Sequence, residues 1–143
     1  MPIHELLPIL QVAIGPVILI SGIGMLLLTL SNRFGRAVDR SRVLGRELRE
    51  SGRAQEKRLA HQIEVLYRRA KVIRLAIIMA AVSLMLITAL IIVLFVANLA
   101  NLGGGFVIVV LFVCCMASLI VSIGAFIRDI QLSLQALNRE LGR

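Results

Sequence analysis

The sequence predicts an all-α integral membrane protein with three transmembrane helices, the first two of which extend into a cytosolic antiparallel helical hairpin. The 143-residue chain is 59% apolar and 17% charged, whereas soluble domains average about half apolar and a quarter charged. Charges are also absent from two long stretches, 27 residues between Glu5 and Arg33 and 53 residues between Arg74 and Arg128. A chain this apolar is not intrinsically disordered.

The two uncharged stretches provide three membrane crossings. A helix needs about 20 apolar residues to cross a hydrocarbon core of about 30 Å, so the first stretch holds one crossing and the second holds two. Asn98, Asn101 and the glycines at 103–105 interrupt the second stretch near its middle, and Gly and Asn favour turns. We predict spans at about 7–30, 76–98 and 105–127, with a tight turn at 99–104.

The basic residues predict the orientation of these spans. Thirteen of the sixteen Lys and Arg residues lie in 31–74, and the other three lie from Arg128 onward. All sixteen therefore fall on one side of a three-span protein, and cytoplasmic loops carry the excess of Lys and Arg. We expect the N-terminus outside and the C-terminus in the cytoplasm. The net charge of +8 is explained by this concentration of basic residues on the cytoplasmic side. We expect no nucleic-acid partner, because the chain has no Trp and a single Tyr for base stacking.

The polar segment 31–75 is predicted to form a coiled-coil hairpin that bends at Ser51 and Gly52. Apolar and small side chains recur there at spacings of three and four, which is typical of packed helices. The first arm carries this stripe at Phe34, Val38, Ser41, Leu44 and Leu48, and the second arm at Leu59, Ile63, Leu66, Ala70 and Ile73.

The segment 128–143 is predicted to be an amphipathic cytosolic helix. Its apolar stripe consists of Ile130, Leu134, Leu137 and Leu141. This helix either docks on the hairpin or lies on the inner membrane surface, where an amphipathic helix binds headgroups. Asp129 is the only acid beside the inner end of the third span, and we expect it to form an ion pair with Arg128, Arg33 or Arg36.

This arrangement resembles a family of small bacterial membrane proteins of unknown function with one span, a basic hairpin and a pair of spans. The residues that carry the likeness are 7–17 (LPILQVAIGPV), 28–33 (LTLSNR), Asp39, Arg40 and Arg42. The resemblance implies the bacterial inner membrane. It implies no activity and assigns no functional residue.

One face of the first span is small or polar, which is unusual in lipid. Its residues alternate at steps of four and three: Gln11, Gly15, Ile18, Gly22, Met25 and Thr29. Helices in lipid associate through small residues and interhelical hydrogen bonds. This face either packs against another helix or, in a homo-oligomer, lines a pore. The pore would have Glu5 at its mouth, a girdle at Ile18 and Met25, and Arg33 and Arg36 at its inner exit, since charged rings and apolar constrictions select and gate.

A second small stripe lies on the third span. Cys114, Ser118 and Ser122 follow one another at strides of four, and we predict that they pack against the second span near Ala76, Ala80 and Ser83. Adjacent helical cysteines are poorly placed for a disulfide, and without a histidine they form no metal site.

The sequence lacks the motifs that most enzyme classes require. The glycines at 103–105 lack the Lys of a phosphate-binding loop, and no nucleophile has a base and an orienting acid within reach. We therefore expect no enzyme activity, metal or cofactor. The leading hypothesis is an oligomeric channel, and the sequence does not determine which ion it conducts. The alternatives are a non-conducting scaffold whose basic hairpin binds a cytosolic partner or anionic headgroups, and an accessory subunit of a larger transporter.

Overall fold

Three long helices make up the protein. The computed structural model describes the backbone of residues 3–50, 52–100 and 105–140, and the side chains of residues 11, 14–50, 52–53, 55–100 and 105–135. The helices are α1 (Ile3–Glu50), α2 (Arg53–Leu99) and α3 (Gly105–Glu140). No strand occurs within these described residues. At 1.5 Å per residue, α1 and α2 are each about 70 Å long, more than twice the thickness of a hydrocarbon core.

Each helix contains a stretch long and apolar enough to cross a membrane. The prediction of an all-α fold with three such helices is confirmed, and the chain is a multi-pass membrane protein on this basis. The sequence explains why the helices are so long. No proline follows Pro16, so the only helix-breaking residue type between the apolar and the polar part of a helix is glycine. The division of each helix into a span and a cytosolic arm stays a prediction.

The helices end where turn-forming residues interrupt the chain. The first ends at Glu50 and the second begins at Arg53, on either side of Ser51 and Gly52. The amide of Gln55 donates to the carbonyl of Gly52 at 3.0 Å, which caps the start of α2. The second helix ends at Leu99, and of the predicted turn at 99–104, residues 101–104 lie outside the described residues.

Buried side chains recur with the seven-residue period of packed helices. On α1 they are Ile23, Leu30, Ala37 and Leu44, and on α2 they are Ile73, Ala76, Ala80, Ser83, Ile87 and Leu90. On α3 they are Cys115, Ser118, Ser122 and Asp129. Alternating steps of three and four keep one stripe of a helix facing its neighbours, as in left-handed bundles.

The described residues form two compact units. The first unit comprises the chain up to Leu27 together with Met79–Val121, and its buried side chains include Ile87, Leu90 and Cys115. The second unit comprises Leu28–Ile78 together with the chain from Ser122 onward, and its buried side chains include Leu30, Ile73 and Asp129.

The C-terminal segment continues α3 without a break at Arg128, since no glycine or proline lies between Gly124 and Glu140. Ile130 and Leu134, from the predicted apolar stripe, are exposed, whereas Leu132 and Ser133 are half-buried. The buried stripe of α3 continues from Asp129 to Leu132 at a step of three, which turns the predicted stripe away from the neighbouring helices. The side chain of Leu137, and Leu141, lie outside the described residues.

Candidate functional site

The predicted face of α1 is exposed along the whole of its described length. Ile18 is 67% exposed and Met25 is 74% exposed. A Cβ atom added at Gly15 or Gly22 would meet nothing within 4 Å. Gln11 and Thr29 are exposed as well. The side chain of Glu5 lies outside the described residues.

The buried side of α1 is a different stripe of the same helix. Ile23 and Leu30 are 2% and 0% exposed, and Leu27 between them is half-buried. Only 11% of the most apolar window of α1 is buried, against 22% for α2. The chain therefore buries one stripe of α1 and leaves the small and polar face open.

The α2 and α3 helices, by contrast, bury three serine side chains whose hydroxyls donate to the backbone of the other helix. In the first unit, Ser118 Oγ donates to the carbonyl of Met79 at 2.7 Å, and Ser83 Oγ donates to the carbonyl of Cys115 at 3.1 Å. In the second unit, Ser122 Oγ donates to the carbonyl of Ala76 at 2.8 Å. Such hydrogen bonds between helices in lipid contribute about 0.6 kcal/mol each.

The cysteine at this contact is Cys115, which is fully buried, whereas Cys114 is exposed. Strides of four, as in Cys114, Ser118 and Ser122, drift around a helix of 3.6 residues per turn. Steps of three and four, as in Cys115, Ser118 and Ser122, hold the contact stripe. Ser118 and Ser122 therefore lie where α2 approaches, and Cys114 does not.

A buried carboxylate ties the three helices together in the second unit. Asp129 on α3 is fully buried. Its Oδ1 accepts a hydrogen bond from Arg69 Nε of α2 at 3.3 Å, and its Oδ2 lies 3.2 Å from Arg33 Nε of α1. The Arg33 guanidinium also lies over the ring of Phe126, 5.3 Å from its centroid, in the geometry of a cation–π contact. We call Arg33, Arg69 and Asp129 the arginine–aspartate cluster.

The cluster contains two cations and one anion, and its hydrogen bonding is incomplete. Oδ2 of Asp129 is at ion-pair distance from Arg33 but accepts no hydrogen bond within the described part of the chain, because the Nε–H bond is not directed at it. The side chains of Arg33 and Arg69 are 23% and 22% exposed. Two guanidinium groups thus share one carboxylate, and the formal charges of the cluster sum to a positive value.

Arg33 is one of the three arginines that the sequence predicts as partners of Asp129, whereas Arg69 is a partner that it does not predict. The position of Arg69 could have been predicted from the period of the buried residues of α2. Arg69 lies four residues before Ile73 and so continues the buried stripe of Ile73 and Ala76 toward the N-terminus. Arg33 pairs with Asp129 in the single chain, whereas Arg36 is exposed. A collar of Arg33 and Arg36 at a pore exit stays a prediction.

The described part of the hairpin also carries an open cleft of about 480 Å³. Its lining residues are Glu47, Glu50, Gln55, Arg58, Leu59 and Gln62. Further along α2, Glu64 and Arg68 form an exposed ion pair at 3.5 Å, which contributes little stability because water screens it. Among the described side chains, no group of three His, Cys, Asp or Glu residues is placed to hold a metal ion.

Comparison with known proteins identifies a family. Residues 13–139 match the family described as "Protein of unknown function (DUF2721)". The match includes Gly15, Gly22, the arginine–aspartate cluster and the serine contacts of α3. No curated protein and no solved structure matches the chain. The resemblance to a family of small three-span membrane proteins of unknown function is thereby confirmed.

Proposed function

The chain belongs to the DUF2721 family of proteins of unknown function, and from this premise we propose that it is a homo-oligomeric membrane channel in which α1 lines the axis. The observation that carries the proposal is the open face of α1. This face is small or polar, it lies within an apolar stretch, and the rest of the described chain does not cover it.

A second copy of the chain suits this face better than lipid does. Acyl chains offer no hydrogen bond to the exposed amide of Gln11, and an unsatisfied polar group in hydrocarbon is costly. Gly15 and Gly22 allow another backbone to approach closely, which is how helices associate in lipid. Repeated around a symmetry axis, α1 would satisfy both requirements with identical surfaces, as in the closed rings that most homo-oligomers form.

The same face supplies the parts of a pore. Gln11 provides a polar ring near one end, Ile18 and Met25 provide a hydrophobic girdle, and hydrophobic constrictions gate by excluding water. Arg36, which is exposed, continues the face beyond Thr29 and supplies positive charge at the inner end. Glu5 would stand at the outer mouth. These opposite charges leave the sign of the permeant ion open.

The charge distribution supports a location in the bacterial inner membrane. The N-terminus would be outside and the C-terminus cytoplasmic, because every Lys and Arg then lies on the cytoplasmic side. The role is one of conduction rather than catalysis, in line with the absence of an assembled nucleophile and base in the sequence.

A non-conducting scaffold is the second candidate, and the hairpin cleft favours it. The cleft contains two carboxylates, one guanidinium and two amides, groups that suit a polar segment of a cytosolic partner. An accessory subunit of a larger transporter would use the same surface. Both alternatives require no conductance from the pure protein.

Electrical recording from the purified chain in planar bilayers tests the proposal. We expect single-channel currents, and we expect Ile18→Ser to raise the open-state conductance by roughly threefold or more because it wets the girdle. The matched control is Val17→Ser. Val17 is also exposed, at 52%, but it lies about 100° around the helix from Ile18, so its substitution should leave the currents unchanged.

Two results would contradict the channel. The first is silence under voltage, membrane tension, acid and divalent cations, which favours the scaffold. The second is an equal effect of Ile18→Ser and Val17→Ser, because conduction would then not follow the proposed face.

A further inference from the structure

The second unit is strongly unbalanced in charge around the arginine–aspartate cluster. The three helix segments that meet there, 28–38, 65–78 and 122–135, carry seven Arg and Lys residues and one acid, Asp129. The single acid is fully buried and already engaged with two arginines. Arg68 has an acidic partner just outside these segments, Glu64 at 3.5 Å, and no second acid within the segments is left for the other surplus cations.

Arg33 and Arg69 have hydrogen-bond donors that their contacts with Asp129 do not use. Each guanidinium makes its closest contact with Asp129 through Nε, which leaves its two terminal amino groups to other partners. Both side chains are about one-fifth exposed, so these groups are partly shielded from water and partly open. A planar guanidinium fork matches the oxygens of a phosphate group in geometry and charge.

We propose that the arginine–aspartate cluster binds the phosphate of an anionic phospholipid headgroup. Arg33 and Arg69 donate to the phosphate oxygens, and Asp129 holds the two guanidinium groups in place. The phosphate supplies the negative charge that the cluster lacks, and its binding offsets the cost of holding two partly buried cations against one carboxylate. This inference does not depend on conduction or on the number of subunits.

The position of the cluster in the sequence favours a lipid over a free phosphate ion. Arg33 is the first charged residue after 27 uncharged ones, and Asp129 follows 53 uncharged residues by one position. Arg33 and Asp129 thus lie where the apolar stretches end, at the depth of headgroups. Arg36 and Arg74 are exposed at the same ends of these stretches, and such basic residues attract anionic headgroups.

Native mass spectrometry of the full chain in detergent tests the proposal. The probes are short-chain phosphatidylglycerol, short-chain phosphatidylcholine and inorganic phosphate. We expect phosphatidylglycerol to bind at least about tenfold more tightly than phosphatidylcholine, and Arg69→Gln to weaken its binding about fivefold. The matched control is Arg128→Gln, which removes an exposed arginine beside the cluster and should change binding by no more than about twofold.

Several results would overturn the inference. Equal affinity for the two lipids would show that the anionic headgroup is not the ligand. Equal losses in Arg69→Gln and Arg128→Gln would indicate a diffuse basic belt instead of a cluster. Displacement of the lipid by inorganic phosphate at a similar concentration would identify free phosphate as the ligand. If Arg69→Gln does not fold, Arg69→Lys keeps the charge but loses the fork, and unchanged lipid binding in that variant would also refute the cluster.

Discussion

Replacing Asp129 with alanine is expected to lower the free energy of unfolding by about 3–5 kcal/mol, the usual cost of removing one partner of a buried ion pair. The substitution leaves the guanidinium groups of Arg33 and Arg69, each about one-fifth exposed, without the anion that they share. It also removes the carboxylate through which α3 contacts both α1 and α2. Reversible unfolding in mixed micelles, followed by helical circular dichroism, measures the loss.

Asp39→Ala is the matched control for this prediction. Asp39 is an exposed carboxylate on α1, and exposed substitutions usually change stability by no more than about 0.5 kcal/mol. Equal destabilisation by the two variants would mean that the loss reflects overall charge, and a neutral Asp129→Ala would mean that the cluster does not hold the helices together. Replacing all three cluster residues with apolar ones should recover much of the stability, because the unpaired cations are then absent.

Gly22→Leu is expected to dissociate the proposed oligomer while leaving the fold of the single chain intact. A Cβ at Gly22 meets nothing within 4 Å in the single chain, so the new side chain starts in open space and its main obstruction is expected to be with a second chain. Overfilling a packed contact costs roughly 1–3 kcal/mol, which corresponds to about a tenfold to a hundredfold weaker association. The measurement is the mass of the purified particle in detergent, by light scattering, as a function of concentration.

Gly24 provides a closely matched control for Gly22. It is also an exposed glycine of α1 with nothing within 4 Å of its added Cβ, but it lies about 160° around the helix from Gly22. Gly24→Leu should therefore keep the mass of the wild-type particle. Dissociation of both variants, or of Gly24→Leu alone, would contradict the proposed face.

The helices and their breaks follow directly from the sequence because both signals are strong. One uncharged stretch precedes the basic segment 33–74 and the other follows it, and Gly52 lies between the first two helices. The exposed face of α1 also follows from spacing alone, since its residues recur every three or four positions and share one side of the helix.

Contacts between helices are harder to predict because they depend on register. A stride of four selects Cys114, whereas the contact uses Cys115. In the tail, apolar spacing selects Leu134, which is exposed, while the buried position is the charged Asp129. An ion pair can occupy a stripe that is otherwise apolar, so apolar spacing alone predicts neither Asp129 nor Arg69. Both residues nevertheless continue the seven-residue period of the buried stripes of α3 and α2.

Cysteine cross-linking in intact membranes tests most directly whether copies of α1 face one another. The background carries Cys114→Ser and Cys115→Ser, and Ile18→Cys is compared with Val17→Cys under mild oxidation and with a short bis-maleimide. We expect cross-linked dimers from Ile18→Cys, since each chain then carries one thiol, while Val17→Cys remains monomeric. Cross-linking at both positions alike, or at neither, would contradict the assembly of this protein around its first helix.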